Sequence, residues 1–274
     1  MEGCNMDFIA LNHKCYEMKL KALEMALSTG KNGSHIGGGF SAMEIMVTLF
    51  EIADLSEEED RDRIIVSKGH CVLALYTALW KHGFISDKEL ATFDKNGTHF
   101  HGHPHRDLSH HIEFSGGSLG LGMSYAVGVA LSCKKKGLNN KVYVILGDGE
   151  CDEGIVWESL MSAAAFHLDN LVIIVDRNKL QLDGPTKEVL NQYSLEDKFK
   201  AFGYTVDVVN GHSVEDLYHV LTLHRPMPRA IIANTNKANG LSFLQDRKES
   251  HQCSISEAQY EQAVKEIKEA YHEI

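Results

Sequence analysis

Asp148 and Asn178 are the residues from which chemistry can first be argued. Asp148 stands between two glycines at the end of the apolar run KVYVILGDG (141–149). Asn178 closes a second run, LVIIVDRN (171–178), 30 residues further on. A carboxylate and an amide oxygen are hard donors, suited to Mg2+ or Ca2+. Gly147 and Gly149 let the main chain come close to a phosphate and offer it bare N–H groups. Mg2+ takes few protein ligands and completes its shell with phosphate oxygens and water, at about 2.1 Å. The pattern points to a metal-bridged diphosphate. A plain turn at a strand end is the alternative reading of the same residues. A dinucleotide fingerprint fits less well, because GDGECDEG puts Asp152 where G-x-G-x-x-G needs its third glycine.

The elements that must position these two residues are strands. Both runs are continuously apolar, the pattern of a parallel sheet covered on both faces. Right-handed crossovers then bring both carboxyl ends to one edge, where ligands bind. Around them the spacing predicts a helix over 6–29, a Gly-rich turn GSHIGGG (33–39) and a helix from about Ser41 to Ala53. RIIVSKGH (63–70) reads as a short strand and polar turn, followed by a helix through Trp80. A His-rich loop covers 98–111, and SGGSLGLGMSYAVGVALSCKKKG (115–137) is a Gly-rich entry into a helix of small residues. A helix over 154–167, a strand at 204–209, a helix at 213–223, a strand at 229–235 and a helix from Ser256 to Ile274 complete the rhythm. With four prolines and no linker-like stretch, the reading is one α/β domain over 1–274, doubly wound around a mostly parallel sheet with helices on both faces.

The formal charge of −11 disfavours a nucleic-acid partner, for which a basic face is needed. Lys134, Lys135 and Lys136 form one basic cluster, read as a solvated helix C-terminus. No apolar run reaches about 18 residues, so no membrane span is expected, and the first residues show no secretory signal. Cys4, Cys15, Cys71, Cys133, Cys151 and Cys253 form no C-x-x-C pair, which suits reduced thiols in a cytoplasmic protein. Of the sixteen histidines, those of the alternating run 99–105 point the same way in an extended chain, but no carboxylate or cysteine completes a transition-metal site. His99, His101, His105, His110 and His111 are read as a solvated loop, and His167 and His224 as structural.

GDGECDEGIVWESLMSAAAFHLDNLVIIVDRNKLQLDG (147–184) closely resembles the thiamine diphosphate signature in its transketolase variant. GSHIGGGFSAMEI (33–45), RDRIIVSKGHCVLALYTAL (61–79), HGHP (101–104), SGGSLGLGMSYAVGVAL (115–131) and NKANGLSFL with His251 look like successive blocks of the transketolase N-terminal half. The resemblance implies thiamine diphosphate and Mg2+ (or Ca2+) as cofactors. Asp148, Asn178 and the carbonyl of Leu180 would be metal ligands, and the main chain of Gly149 would meet the diphosphate. Gly117 and Leu119 lie where the family packs main chain on the cofactor. His70 and His251 would sit nearest the diphosphate, and His35 and His103 would hydrogen-bond sugar hydroxyls and the carbonyl oxygen. Glu153 resembles an acid linking paired active sites across a subunit interface. The sequence departs from the family at Ala238, Asn239 and Gln252, and Ile36 stands where full-length transketolases have Pro, as in separate N-terminal subunits.

The glutamate that activates the cofactor belongs to the other half of a full transketolase. The expected assembly is therefore a heteromer with a C-terminal transketolase subunit, two of each (α2β2), acting on sugar phosphates by transfer of a two-carbon ketol unit. The alternatives are a subunit of the 2-oxo acid dehydrogenase type, a non-catalytic cofactor-binding subunit, and a nucleotide-binding Rossmann protein.

Overall fold

The computed structural model describes residues 6–56, 58–223 and 228–272. Five strands, β1 (Arg63–Val66), β2 (Val142–Gly147), β3 (Leu171–Arg177), β4 (Thr205–Asn210) and β5 (Arg229–Asn234), form a sheet in the order β1-β2-β3-β5-β4. Every pairing is parallel, and Gly147 of β2 lies opposite Asp176 of β3. The helices are α1 (Phe8–Ser28), α2 (Ile36–Ser41), α3 (Met43–Ile52), α4 (Val72–Lys81), α5 (Asp87–Leu90), α6 (Leu121–Lys136), α7 (Gly154–Ala165), α8 (Thr186–Val189), α9 (Leu195–Ala201), α10 (Val214–Thr222) and α11 (Glu257–Ala270).

The apolar runs of β2 and β3 serve two cores because successive side chains leave opposite faces. Val142, Val144, Leu146, Leu171, Ile173 and Val175 pack with α6, α7 and α9. Tyr143, Ile145, Val172 and Ile174 pack with α1, α3, α4, α10 and α11. The crossovers over α7 and α9 carry the chain outward from β2 to β4, and the return from β4 to β5 runs over α10 on the opposite face. Right-handed connection requires that change of face when the direction reverses. Among the described residues no helix is long and apolar enough to cross a membrane.

The segment predicted as a Gly-rich turn behaves otherwise. Ile36–Ser41 is helical and buried, with Ala42 separating it from α3. Glycine is a poor helix former, yet here it permits contact that any side chain would prevent. A Cβ at Gly38 would fall 2.6 Å from His70 Cδ2, and one at Gly39 would fall 2.9 Å from Leu73 Cβ. Tertiary packing overrides propensity and seats α2 directly on the turn after β1.

Candidate functional site

The segments that follow β1, β2 and β3 open on one cavity of about 200 Å3. Lys68, His70, His103, Gly117, Leu119, Gly147, Asp148, Gly149, Glu150, Asn178, Leu180, Gln181, Leu182 and His251 line it. Most of the residues singled out in the sequence are thereby brought together. Asp148 begins a 3-10 turn after β2; its Oδ1 accepts the Gly149 N–H at 3.0 Å and its Oδ2 the Lys179 N–H at 2.7 Å. Asn178 Oδ1 accepts the Leu180 N–H at 3.1 Å. Burial, with the nearby charge of Asp176, pushes Asp148 up to about 6.

The second feature is a group of four imidazoles. His35, which leads into α2, lies 4.8 Å from His103, 5.5 Å from His251 and 6.2 Å from His70, measured between ring centres. His70 and His251 are 5.1 Å apart. Burial, then the positive charge His103 would carry, lowers His35 to about 4. Burial and Lys237 lower His251 to about 4, and burial and Lys68 hold His70 well below its ordinary value. Burial lowers His103 as well. At neutral pH all four are uncharged, each with one nitrogen that donates and one that accepts.

The close approach of loops depends on glycine. A Cβ at Gly69 would lie 2.9 Å from Gly117 N, and one at Gly116 would lie 2.9 Å from Gly69 Cα. Glu150 braces the same loops. It is buried and accepts from Ser67 Oγ, from Gly120 N at 2.7 Å and from Gly147 N at 3.0 Å.

Two lysines were missed in the sequence. Lys68 is fully buried and pairs with Asp176, which also accepts from Ser41 and Thr235. Lys237 is buried, and its Nζ lies 3.1 Å from His251 Nδ1, 3.4 Å from the Leu180 carbonyl and 3.3 Å from the Gln181 carbonyl. Burial, with Lys68 adding, lowers it to about 8. The usable signal was position: each lysine follows the end of a strand at the edge where ligands bind.

Other expectations fall elsewhere. Glu153 does not line the cavity; it is exposed ahead of α7, against Gly120. His99 and His105 are exposed, but the solvated-loop reading does not hold for His110 and His111. His110 is held between Asp107 and Glu89, and His111 is buried with φ 56 against the Phe84 ring at 4.0 Å. A compact turn over Leu108–His110, begun by Asp107, folds these two rings inward. Lys134, Lys135 and Lys136 end α6 as exposed residues. His167 follows α7 with φ 52, and its carbonyl accepts from Lys134. His224 and Cys4 lie outside the described residues. The other five cysteines are free thiols.

The cavity fits a divalent cation and a diphosphate. Asp148 Oδ1, Asp148 Oδ2 and Asn178 Oδ1 each accept one N–H and retain a lone pair. A buried carboxyl pushed up by desolvation has its charge uncompensated, which a cation corrects. Gly117 has φ +141, and a Cβ there would meet no protein atom, so the space beside it belongs to the cavity. Among the described residues no group of three or more His, Cys, Asp or Glu is disposed to hold a metal ion. One carboxylate with amide and carbonyl oxygens suits Mg2+ or Ca2+, which share the work with ligand oxygens.

Residues 13–272 match the family described as transketolase, thiamine diphosphate binding domain. The chain is 38% identical over 243 residues to a subunit of the apulose-4-phosphate transketolase of Phocaeicola vulgatus, covering 86% of each chain. It is 35% identical over 268 residues to the 6-deoxy-6-sulfo-D-fructose transketolase subunit SqwG of a Clostridium species, covering 94% of this chain and 96% of that one. The crystal structure of transketolase from Campylobacter jejuni superposes with a TM-score of 0.84 at 26% identity, over 98% of this chain and 43% of that one.

Proposed function

The chain belongs to the transketolase family, as its thiamine-diphosphate-binding N-terminal part, and from that premise we propose that it works with Mg2+ and a separate C-terminal subunit to transfer a two-carbon ketol unit from a ketose phosphate to an aldose. The observation that carries this reading is the convergence of Asp148, Asn178, His70, His103 and His251 on one cavity. Relatives of similar length are named as subunits of transketolases, which supports a partner chain. So do the apolar side chains left exposed around the same sheet edge: Leu182 is 61%, Leu190 57% and Tyr193 82% accessible. Exposed apolar groups clustered beside a site mark a surface that another protein covers. The proposed assembly is α2β2, with Glu153 reaching the paired site across the interface.

Thiamine diphosphate, when bound, supplies the electron sink for breaking and forming a carbon–carbon bond next to a carbonyl. The chain's own residues do the holding and the proton handling. Asp148, Asn178 and the Leu180 carbonyl would ligate the cation. The main chain at Gly149, Gly117 and Leu119, with the ammonium groups of Lys68 and Lys237, would hold the diphosphate. His70 and His251 lie beside it. His35 and His103, held neutral, would donate to and accept from sugar hydroxyls and the carbonyl oxygen, and would move protons between them. A set of uncharged, bifunctional imidazoles suits a polyhydroxyl substrate better than a 2-oxo acid, and assaying both donors separates the two readings.

The test is reconstitution. The chain with thiamine diphosphate, Mg2+ and a ketose phosphate gives no turnover alone, and turns over when the C-terminal partner is added. Full activity without a partner, or no cofactor uptake in calorimetry when the partner and Mg2+ are present, overturns the proposal.

A further inference from the structure

The side-chain amide of Asn178 has two ends of nearly equal size and opposite chemistry. Only the oxygen can ligate a hard cation; the NH2 group would repel it. Nothing about the shape of the pocket distinguishes the two orientations, so hydrogen bonding must.

Ser41 decides it. This residue ends α2 and is fully buried. Its Oγ lies 2.5 Å from Asp176 Oδ2 and 3.1 Å from the Gly38 carbonyl. Both are acceptors, so the single hydroxyl proton of Ser41 is taken whichever receives it. Asp176 is fully buried and serves as an acceptor throughout, since it also receives the ammonium of Lys68 and the hydroxyl of Thr235. With three donors converging on it, the carboxyl group accepts from Ser41 as well. Toward Asn178, 3.5 Å away, Ser41 therefore has only a lone pair to offer. On the other side the Leu180 N–H, at 3.1 Å, needs an acceptor. Nδ2 must face Ser41 and Oδ1 must face Leu180. The reversed amide would set oxygen against oxygen and N–H against N–H, and would lose both bonds.

We infer that Ser41, fixed by Asp176, is a positioning residue that sets the amide orientation of Asn178 and so presents Oδ1 to the cation. This rests on the proposed reading of the cavity as a metal–diphosphate site. Outer partners of this kind, when removed, weaken metal binding by roughly 10–100-fold.

The experiment compares the wild-type chain with Ser41→Ala, each mixed with the C-terminal partner, and measures by calorimetry how much Mg2+ half-saturates thiamine diphosphate uptake. The expected result for Ser41→Ala is a rise of about tenfold, with uptake restored at high Mg2+. Ser41→Cys, similar in size and a weaker acceptor, falls between the two. The same substitution is then made on Asn178→Asp. A carboxylate presents oxygen in either orientation, so there Ser41→Ala shifts the Mg2+ requirement less than about twofold, as an orienting role predicts. An equal shift in both backgrounds, or no shift in either, overturns the inference, because packing alone would not tell Asn from Asp. Should the wild-type chain take up no cofactor at any Mg2+ concentration, the reading of the cavity fails instead. The orienting role is then decided on the free chain by nitrogen-15 NMR of the Asn178 side-chain amide. Exchange protection that disappears in Ser41→Ala supports it, and protection unchanged overturns it.

Discussion

The cavity has two regions that are built differently. Its floor, at the ends of β2 and β3, is charged, and hydrogen bonds fix its polar groups many times over. Asp148 is gripped by two main-chain N–H groups, Asp176 by three donors, and Glu150 by three more. Its wall is neutral: the imidazoles of His70, His103 and His251 line it and that of His35 packs against all three, the four contributed by segments far apart in the sequence. A charged floor suits a ligand part that stays put, because reorganising buried charge is costly. A neutral, half-open wall suits a ligand part whose hydroxyls must be bound, changed and released. The division of labour predicts that floor mutations damage cofactor uptake and wall mutations damage turnover.

Asp148→Ala gives the largest effect. It removes the only carboxylate in the proposed ligand set, so Mg2+-dependent uptake of thiamine diphosphate falls by more than the roughly 100-fold upper range for losing an outer partner, with activity lost in parallel. Calorimetry checks the first and a coupled ketol-transfer assay the second. Uptake unchanged in this variant breaks the comparison at its foundation.

Lys237→Met sharpens it. Charge-assisted hydrogen bonds contribute about 1.5–3 kcal/mol, so cofactor affinity falls by roughly 10–100-fold. The free chain, however, melts at a higher temperature at pH 7. Burial lowers Lys237 to about 8, which means folding disfavours its charged form, and an apolar side chain relieves that cost. Weaker uptake together with a more stable free chain is the signature of a residue kept for its ligand. A variant that loses both stability and uptake would mark Lys237 as structural.

His103→Ala tests the wall. Loss of a group that transfers protons or orients hydroxyls lowers kcat/KM for the sugar by about 100-fold or more, while the affinity for thiamine diphosphate stays within about threefold of the wild type. An equal loss in both measurements would merge the two regions into one.

The floor was more legible in the sequence than the wall. Asp148 and Asn178 end apolar runs whose length and continuity announce parallel strands, and topology alone sends strand ends to a common edge. The wall offers no such rule. His35, His70, His103 and His251 sit in polar segments without periodicity, and only the transketolase-like blocks around them marked these four among sixteen histidines. Lys68 and Lys237 escaped because a lysine in a polar stretch ordinarily reads as a solvated side chain. The helix α2 escaped because its glycines argue against helix locally and are required by what packs on them. His111 escaped because its burial depends on a left-handed turn that the run of polar residues does not signal.

The smallest expected effect concerns acid, and it draws on the opposite signs of the two regions. His35 and His251 titrate at 6.5 unfolded and about 4 folded, so between those values the folded chain holds fewer protons than the unfolded one. The stability they contribute is fully present above pH 6.5 and is lost as the pH falls toward 4. Asp148 runs the other way. Its value rises from 3.8 to about 6 on folding, so acidification across that window relieves a cost. Burial raises Glu150 in the same sense, but the four lowered imidazoles outnumber these two floor carboxyls, and the free chain loses stability as it is acidified from pH 6.5 to 4.5. Replacing His35 and His251 with Gln keeps polar side chains in the wall and removes their titration, so the drop in melting temperature over that range shrinks. Added Asp148→Asn should make it larger again, since one of the compensating groups is gone. Melting curves for the three proteins at the two pH values read this directly. A drop in the double Gln variant equal to that of the wild type would mean that the wall histidines are not held neutral by their surroundings, and the contrast between charged floor and neutral wall would fail.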